Sequence, residues 1–382
     1  MACMKLHRFL PVTVLLWSVA CGATTTPAPI PTILPQATPL DTPSATPTHF
    51  ITPTPTPAPS ATPAPSLRRF AEARAFYVGA GASAKELQSD PLYAQILARE
   101  FNLLTPTNAM KFGPLRPSRA QFDFREADAL VAFAEAHQMR VRGHVLVWDK
   151  QLPQWLSEGK FKRDELLAIL RDHILVVVGR YRGKIFAWDV VNEAVQSDGK
   201  LRDSFWLKNL GPDYLELAFR WAHEADPDAL LFYNDFDAEG LGKKSDVVYS
   251  LAQRLQKLGA PLHGVGLQAH VDVEKPPRAA DVTANIKRLS ALGVDVHITE
   301  MDVRHKSNKP SAYLLDVQAR IYRDLFQACV TQESCKAFVT WGVGDRDSWI
   351  PRAFPGYGAA LLFDNDYRPK PAYQALMRLL GP

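Results

Sequence analysis

Short apolar or β-branched runs recur along most of the chain, at residues 76–81, 103–108, 140–148, 186–194, 230–235, 264–270, 295–303 and 337–343. Between them lie stretches whose apolar positions repeat every three or four residues, most clearly 125–137, 163–181 and 214–225. A period of two or a short apolar run predicts strand, and a period near 3.6 predicts helix. Strand and helix therefore alternate eight times over residues 67–382, which predicts a (β/α)8 barrel, the TIM barrel. A doubly wound open sheet is the alternative, but it would use fewer strands over this length. The Gly-rich phosphate fingerprint of a dinucleotide fold is also absent.

The first 66 residues follow none of these patterns. Residues 1–20 predict an export signal: Lys5 and Arg8 supply positive charge, residues 9–20 are mostly apolar, and small residues lead to Cys21. A Cys directly after Ala20 resembles the lipid-attachment site of bacterial lipoproteins, although Ser18 stands where that motif usually has Leu. Plain secretion after Ala20 is the other reading, and both place the protein outside the cell. From Thr24 to Ser66 the chain has 13 Pro and 12 Thr, with Asp41 the single formal charge. Proline fixes φ and removes a backbone donor, so residues 21–66 predict an extended, disordered stalk rather than a folded unit. At about 3.1 Å per residue, such a stalk reaches on the order of 130 Å.

Composition removes several classes of function. The balance of 44 Lys+Arg against 40 Asp+Glu gives a net charge of +4, too small and too dispersed for a nucleic-acid partner. No apolar run beyond residue 20 is long enough to span a bilayer, which excludes a multi-pass membrane protein. The four cysteines form no CxxC pair and the histidines form no HExxH, so no metal and no cofactor are expected. Cys329 and Cys335, six apart in an exported chain, predict a disulfide worth roughly 2 kcal/mol by loop-closure entropy.

In a TIM barrel, chemistry collects at the C-terminal ends of the strands. Those ends carry Asn108 and Lys111, His144 and Trp148, Asn192 and Glu193, Asn234 and Asp235, Gln268 and His270, Glu300 and Asp302, and Trp341 with Trp349. A purely structural set of strand ends would be mostly small or apolar. Glu193 and Glu300 close apolar runs on strands four and seven. Two carboxylates about 5–5.5 Å apart suit retaining glycoside hydrolysis, in which one attacks the anomeric carbon and the other protonates the leaving oxygen. The charge of the nucleophile is expected to raise its neighbour's pKa. Spacing alone favours two unrelated surface ion pairs over a catalytic pair.

The segments FNLLTPTNAMKF, VRGHVLVWDKQLPQWL, WDVVNEA, GVGLQAH, HITEMDV, TWGVGDRDSWIP and LLFDNDYRPKPAY occur in one order across residues 67–382. Together they resemble family-10 glycoside hydrolases, the endo-β-1,4-xylanases. That resemblance implies Glu193 as acid/base and Glu300 as nucleophile. It implies that Asn192 bonds the 2-hydroxyl of the reacting sugar and that His270, held by Asp302, bonds the nucleophile, with Gln268 close by. It places His144 and Trp148 around the reacting sugar, and Asn108, Lys111 and Gln151 on the next sugar toward the non-reducing end. Trp341 and Trp349 would cover that trough, and tight walls would leave no room for the hydroxymethyl of glucose.

Three positions depart from the family. It usually has Glu, Trp and His where this chain has Thr107, Phe112 and Asp149. Loss of a charge-assisted bond at Thr107 costs about 1.5–3 kcal/mol, which predicts weaker grip on unbranched xylan or tolerance of a different or decorated sugar. The expected protein is a retaining endo-1,4-β-xylanase, secreted or surface-anchored, monomeric, and acting on xylan. The competing readings are a β-glucanase or branched-heteroxylan enzyme on the same scaffold, and a surface glycan-binding protein without catalysis.

Overall fold

The computed structural model of the chain describes residues 65–381. The predicted export signal, Cys21 and the predicted stalk up to residue 64 lie outside the described residues. Nine strands follow in order: β1 (Tyr77–Ala82), β2 (Leu103–Pro106), β3 (Arg140–Val147), β4 (Ala187–Asn192), β5 (Leu230–Asp235), β6 (Gly264–Leu267), β7 (His270–Asp272), β8 (Asp295–Arg304) and β9 (Cys335–Thr340). All pairings between them are parallel, β9 pairs back to β1, and β6 pairs with β8. The ring thus closes through eight strands, as the alternation predicts, and leaves no open edge.

The expected sixth strand, residues 264–270, is divided. It stops at Leu267, Ala269 adopts φ 63°, and His270 begins the short β7 alongside the end of β8. The run is continuous in hydropathy, but the left-handed Ala269 turns it out of the ladder.

Helices cover the outside of the ring. Arg163–Arg180 buries Leu166, Ile169, Leu170, His173, Ile174, Val177 and Val178, one stripe at helical spacing. Asp213–Ala225 buries Tyr214, Leu215, Ala218, Phe219 and Ala222 in the same way. Each fully buried aliphatic or aromatic side chain contributes about 1.5–3 kcal/mol. The first helix, Leu67–Glu72, is capped by Ser66, whose Oγ accepts from the Arg69 N–H at 3.2 Å.

Two glycines let the ring carry large side chains. A Cβ on Gly143 would sit 2.2 Å from the ring of the fully buried Trp188, and one on Gly264 would sit 2.1 Å from Phe232. Near the end of the chain, the helix Ala312–Val330 is tied to β9 through Cys329 and Cys335, whose Cα atoms are 5.3 Å apart. Among the described residues, no helix is long and apolar enough to cross a membrane.

Candidate active site

The strand ends of β4 and β8 differ in how they present their glutamates. Glu193 lies one residue past β4 with φ 57°, and its N–H still donates to Asn234 O at 2.9 Å. A non-glycine residue held in this conformation stores strain, which is sustained only where neighbours fix it. Glu300 instead lies within β8, four residues before its end, so it does not close the strand as the sequence suggests. The register of β8 against β9 shifts between Ile298 and Met301, an irregularity of the kind that re-aims a side chain.

Both carboxylates open into one cavity of about 810 Å3 at the C-terminal mouth of the ring. Neither faces bulk solvent: Glu193 is 7% exposed and Glu300 4%. A chain of amides joins them. Asn234 Nδ2 donates to Glu300 Oε1 (2.7 Å) and to Asn192 Oδ1 (2.9 Å), while Gln268 Nε2 donates to Asn192 Oδ1 (3.1 Å) and Glu193 Oε1 (3.3 Å). Asn192 Nδ2 completes the set on Glu193 Oε1 at 3.3 Å. Turned over, the Asn192 amide would accept from Trp148 Nε1 and donate to Asn234 O at 3.2 Å, but its NH2 would also face the amide nitrogens of Asn234 and Gln268. The first orientation keeps those two donors on an acceptor.

Behind Glu300 sits a charged relay. His270 Nε2 lies 3.2 Å from Glu300 Oε2 and its Nδ1 lies 2.9 Å from Asp302 Oδ2, which also accepts from Trp349 Nε1 at 2.8 Å. Burial alone would lower the pKa of the imidazole, yet Asp302 and Glu300 together raise it to about 10. His270 is therefore an imidazolium at neutral pH. On the other flank, His144 Nδ1 is 2.9 Å from Asp189 Oδ2, and the wholly buried Asp189 is paired with Arg142. Burial pushes Asp189 up, but Arg142 and His144 bring it below the ordinary carboxylate range.

Of the residues expected from sequence, Asn108, Lys111, His144, Trp148, Gln151 and Gln268 all line the cavity with the two glutamates. So do Asn192, His270, Trp341 and Trp349, whereas Asp302 stands behind His270. Trp341 meets His144 edge to face at 5.1 Å. Lys111 Nζ donates to Asn108 Oδ1 at 3.0 Å and lies 4.8 Å from the centre of the Trp148 ring. Burial lowers its pKa to about 8, against the pull of Glu300 and Glu193.

The three departures fall in different places. Thr107 lines the cavity, but its hydroxyl donates to Ala82 O at 3.2 Å rather than standing free for a sugar. Phe112 is buried and stacks on His173 at 3.7 Å, outside the cavity. Asp149 is half-buried behind the mouth, and its Oδ1 has no partner among the described residues. Burial and the nearby Glu193 carboxylate raise its pKa, opposed by Arg202 and Lys150.

One expectation is reversed. The sequence predicts that the charge of Glu300 raises the pKa of Glu193, but that pKa lies below the ordinary value. Burial does push it up. Lys150 Nζ at 3.5 Å from Oε2, hydrogen bonds from Trp148 and Gln268, and Arg202 Nη2 at 3.9 Å from Oε2 outweigh that. Arg202 also grips the backbone, with Nε donating to Glu193 O at 2.6 Å.

Sequence reasoning missed Lys150, Arg202, Asn234 and Asp189 as site residues. Asn234 was legible as a polar strand end, and Lys150 stands between Trp148 and Gln151. Arg202 carries no local pattern, because it arrives from a loop that returns to the mouth after β4.

Comparison with known proteins agrees with this geometry. The profile of the family described as glycosyl hydrolase family 10 matches residues 66–379. Endo-1,4-beta-xylanase B of Thermotoga neapolitana is 41% identical over 316 residues, 82% of this chain and 91% of that protein. Endo-1,4-beta-xylanase 1 of Humicola insolens is 37% identical over 307 residues, 80% of this chain and 72% of that one. Among solved structures, xylanase 10B from Thermotoga petrophila RKU-1, in complex with xylobiose, superposes with a TM-score of 0.82 at 42% identity, covering 84% of this chain and 98% of that one. A ring of eight parallel strands with paired glutamates at its mouth, matched along nearly all of residues 65–381, means that the chain belongs to glycosyl hydrolase family 10.

Proposed function

We propose that the protein is a retaining endo-1,4-β-xylanase in which Glu300 is the nucleophile and Glu193 the acid/base. The observation that carries the assignment is the shared placement of the two carboxylates, buried in one cavity and joined through Asn234, Asn192 and Gln268. The names of its relatives support xylan as the substrate.

In this scheme a Glu300 oxygen attacks the anomeric carbon as the bond to the leaving oxygen breaks. The proton of Glu193 passes to that oxygen. A glycosyl ester on Glu300 results, with the sugar inverted once. Glu193, now a carboxylate, takes a proton from water as the water attacks the same carbon, and the second inversion restores the original configuration. Asn234 and the His270 imidazolium each hold one oxygen of Glu300, which fixes its attack line before substrate arrives. Sugar binding removes water from both carboxylates and favours one shared proton over two charges. The low pKa of Glu193 in the free site is compatible with that order: the proton is taken up as substrate enters.

Asn192, His144 and Trp148 are assigned to the reacting sugar. Asn108, Lys111 and Gln151 are assigned to its neighbour, with Trp341 and Trp349 as stacking faces. Aromatic walls suit the apolar C–H faces of a pentose. A non-catalytic glycan binder is less well supported, because both glutamates and the His270–Asp302 pair are present. A β-glucanase is less well supported, because the relatives named above are xylanases. Export through residues 1–20, followed by either plain secretion or attachment through Cys21, and a stalk over residues 21–66 complete the proposal, as do a monomeric state and a Cys329–Cys335 disulfide.

The test is reducing-sugar release from xylan and from mixed-linkage glucan, with wild type and with Glu300→Ala. Release from xylan that Glu300→Ala abolishes upholds the reading. Preferential release from the glucan, or tight binding to xylan without turnover, replaces it with one of the alternatives.

A further inference from the structure

We infer that Lys150 is a positioning residue for Glu193, holding its outer oxygen at the cavity mouth and setting the upper pH limit of the reaction. This rests on the acid/base reading of Glu193. The family resemblance assigns no role to Lys150, which the sequence places between two expected sugar contacts, Trp148 and Gln151.

Among the described residues, the ion pair Lys150 makes is with Glu193, and its charge also acts on the neighbouring Asp149. Its Nζ is 3.5 Å from Glu193 Oε2 and 5.4 Å from the centre of the Trp148 ring. The indole face guides the ammonium across the mouth, while its side chain stays 56% exposed. Glu193 Oε1, by contrast, is already held by Gln268 and Asn192. Each oxygen of the carboxylate thus has its own holder: amides from within the ring and a cation from the rim.

Several charged groups enter the balance at Glu193, while among the described residues Asp237, Arg304 and Arg352 line the same cavity without pairing to it. From the loop after β3 come Lys150 and Asp149, and from the loop after β4 comes Arg202, 3.9 Å from Oε2. Lys111 faces it across the cavity, as do Glu300 and His270. Asp235, at the end of β5, lies behind it and accepts from Val195 N–H at 3.3 Å. Of the cations, Arg202 is largely committed to the Glu193 carbonyl and Lys111 to Asn108. Among the described residues Lys150 donates to no acceptor other than Glu193, so its charge is the one Glu193 loses when position 150 is changed.

The sign follows. A cation beside Glu193 favours the carboxylate, and the first step needs the acid, so removing the cation lets the acid persist to higher pH. Because Lys150 is more than half exposed, water and salt weaken its hold. Lys150→Met should move the alkaline limb of kcat/KM on xylo-oligosaccharides upward by roughly half to one pH unit at low salt. Lys150→Arg should restore the wild-type limb. High salt should shift wild type toward Lys150→Met and leave Lys150→Met in place. With aryl xylobiosides bearing a good leaving group, which need little protonation, the limb should move less.

Coincident alkaline limbs for wild type and Lys150→Met at low salt overturn the inference. Glu193→Gln, run in parallel, separates that failure from failure of the underlying assignment. If Glu193→Gln loses turnover of oligosaccharides yet keeps it on activated aryl substrates, unchanged limbs count against Lys150 alone. If Glu193→Gln turns over oligosaccharides normally, the acid/base reading and the role of Lys150 both fall.

Discussion

His270 Nε2 lies 3.2 Å from Glu300 Oε2, with the opposite ring nitrogen anchored 2.9 Å from Asp302 Oδ2. The imidazole is thus sandwiched between carboxylates in a largely buried position, and they hold its proton up to a pKa of about 10. A group whose folded pKa is raised stabilises the fold fully below its unfolded value, near 6.5 for histidine, and loses that contribution as pH rises toward the folded value. Urea midpoints of wild type should therefore fall between about pH 7 and 10, and Asp302→Asn should flatten that slope. Parallel slopes for the two proteins would place the imidazolium elsewhere.

Lys111, with a pKa lowered to about 8 by burial, loses its charge within the working range of an enzyme assay. Its ammonium points to Asn108 and the Trp148 face, where the sugar beyond the reacting one is proposed to bind. KM for xylo-oligosaccharides should rise above about pH 8, and Lys111→Met should make KM nearly independent of pH there. A KM that climbs equally in Lys111→Met would assign the rise to another group.

Thr107 spends its hydroxyl on Ala82 O and packs its methyl toward Gly81, where an added Cβ would lie 2.8 Å away. It presents no charged acceptor to the sugar. Thr107→Glu should raise kcat/KM on unbranched xylo-oligosaccharides by roughly ten- to a hundredfold, the equivalent of about 1.5–3 kcal/mol for a charge-assisted hydrogen bond. An unchanged value would mean that the subsite is satisfied by other residues.

Cys329 and Cys335 close a short loop between the last long helix before β9 and β9 itself. Non-reducing peptide mapping should recover the two as one linked fragment. Cys329→Ser should lower unfolding free energy by about 2 kcal/mol, the loop-closure value for so short a ring. Two free thiols in wild type would dispose of the bond.

The fold was legible because each strand and helix repeats its hydrophobic period over enough residues to fix its type. Helix ends at residues 125, 163 and 225 fall within a residue of the pattern. What hydropathy does not record is backbone conformation. The left-handed Ala269 cuts one apolar run into β6 and β7, and the irregular register near Glu300 lets β8 continue past a residue that looked terminal. The glutamate pair and its histidine relay were visible as polar strand ends. The pKa of Glu193 was not, because it depends on Lys150 and Arg202, two cations brought in by separate loops whose approach no local spacing encodes.

The most direct test is to incubate the enzyme with a 2-deoxy-2-fluoro xylobioside bearing an activated leaving group, which slows the second displacement, and to map the adduct by peptide mass. Double displacement predicts one fluoroxylobiosyl ester per chain, on Glu300, that decays to product of retained configuration. An adduct on Glu193 or any other residue, or turnover that leaves no adduct and releases the inverted sugar, would contradict it.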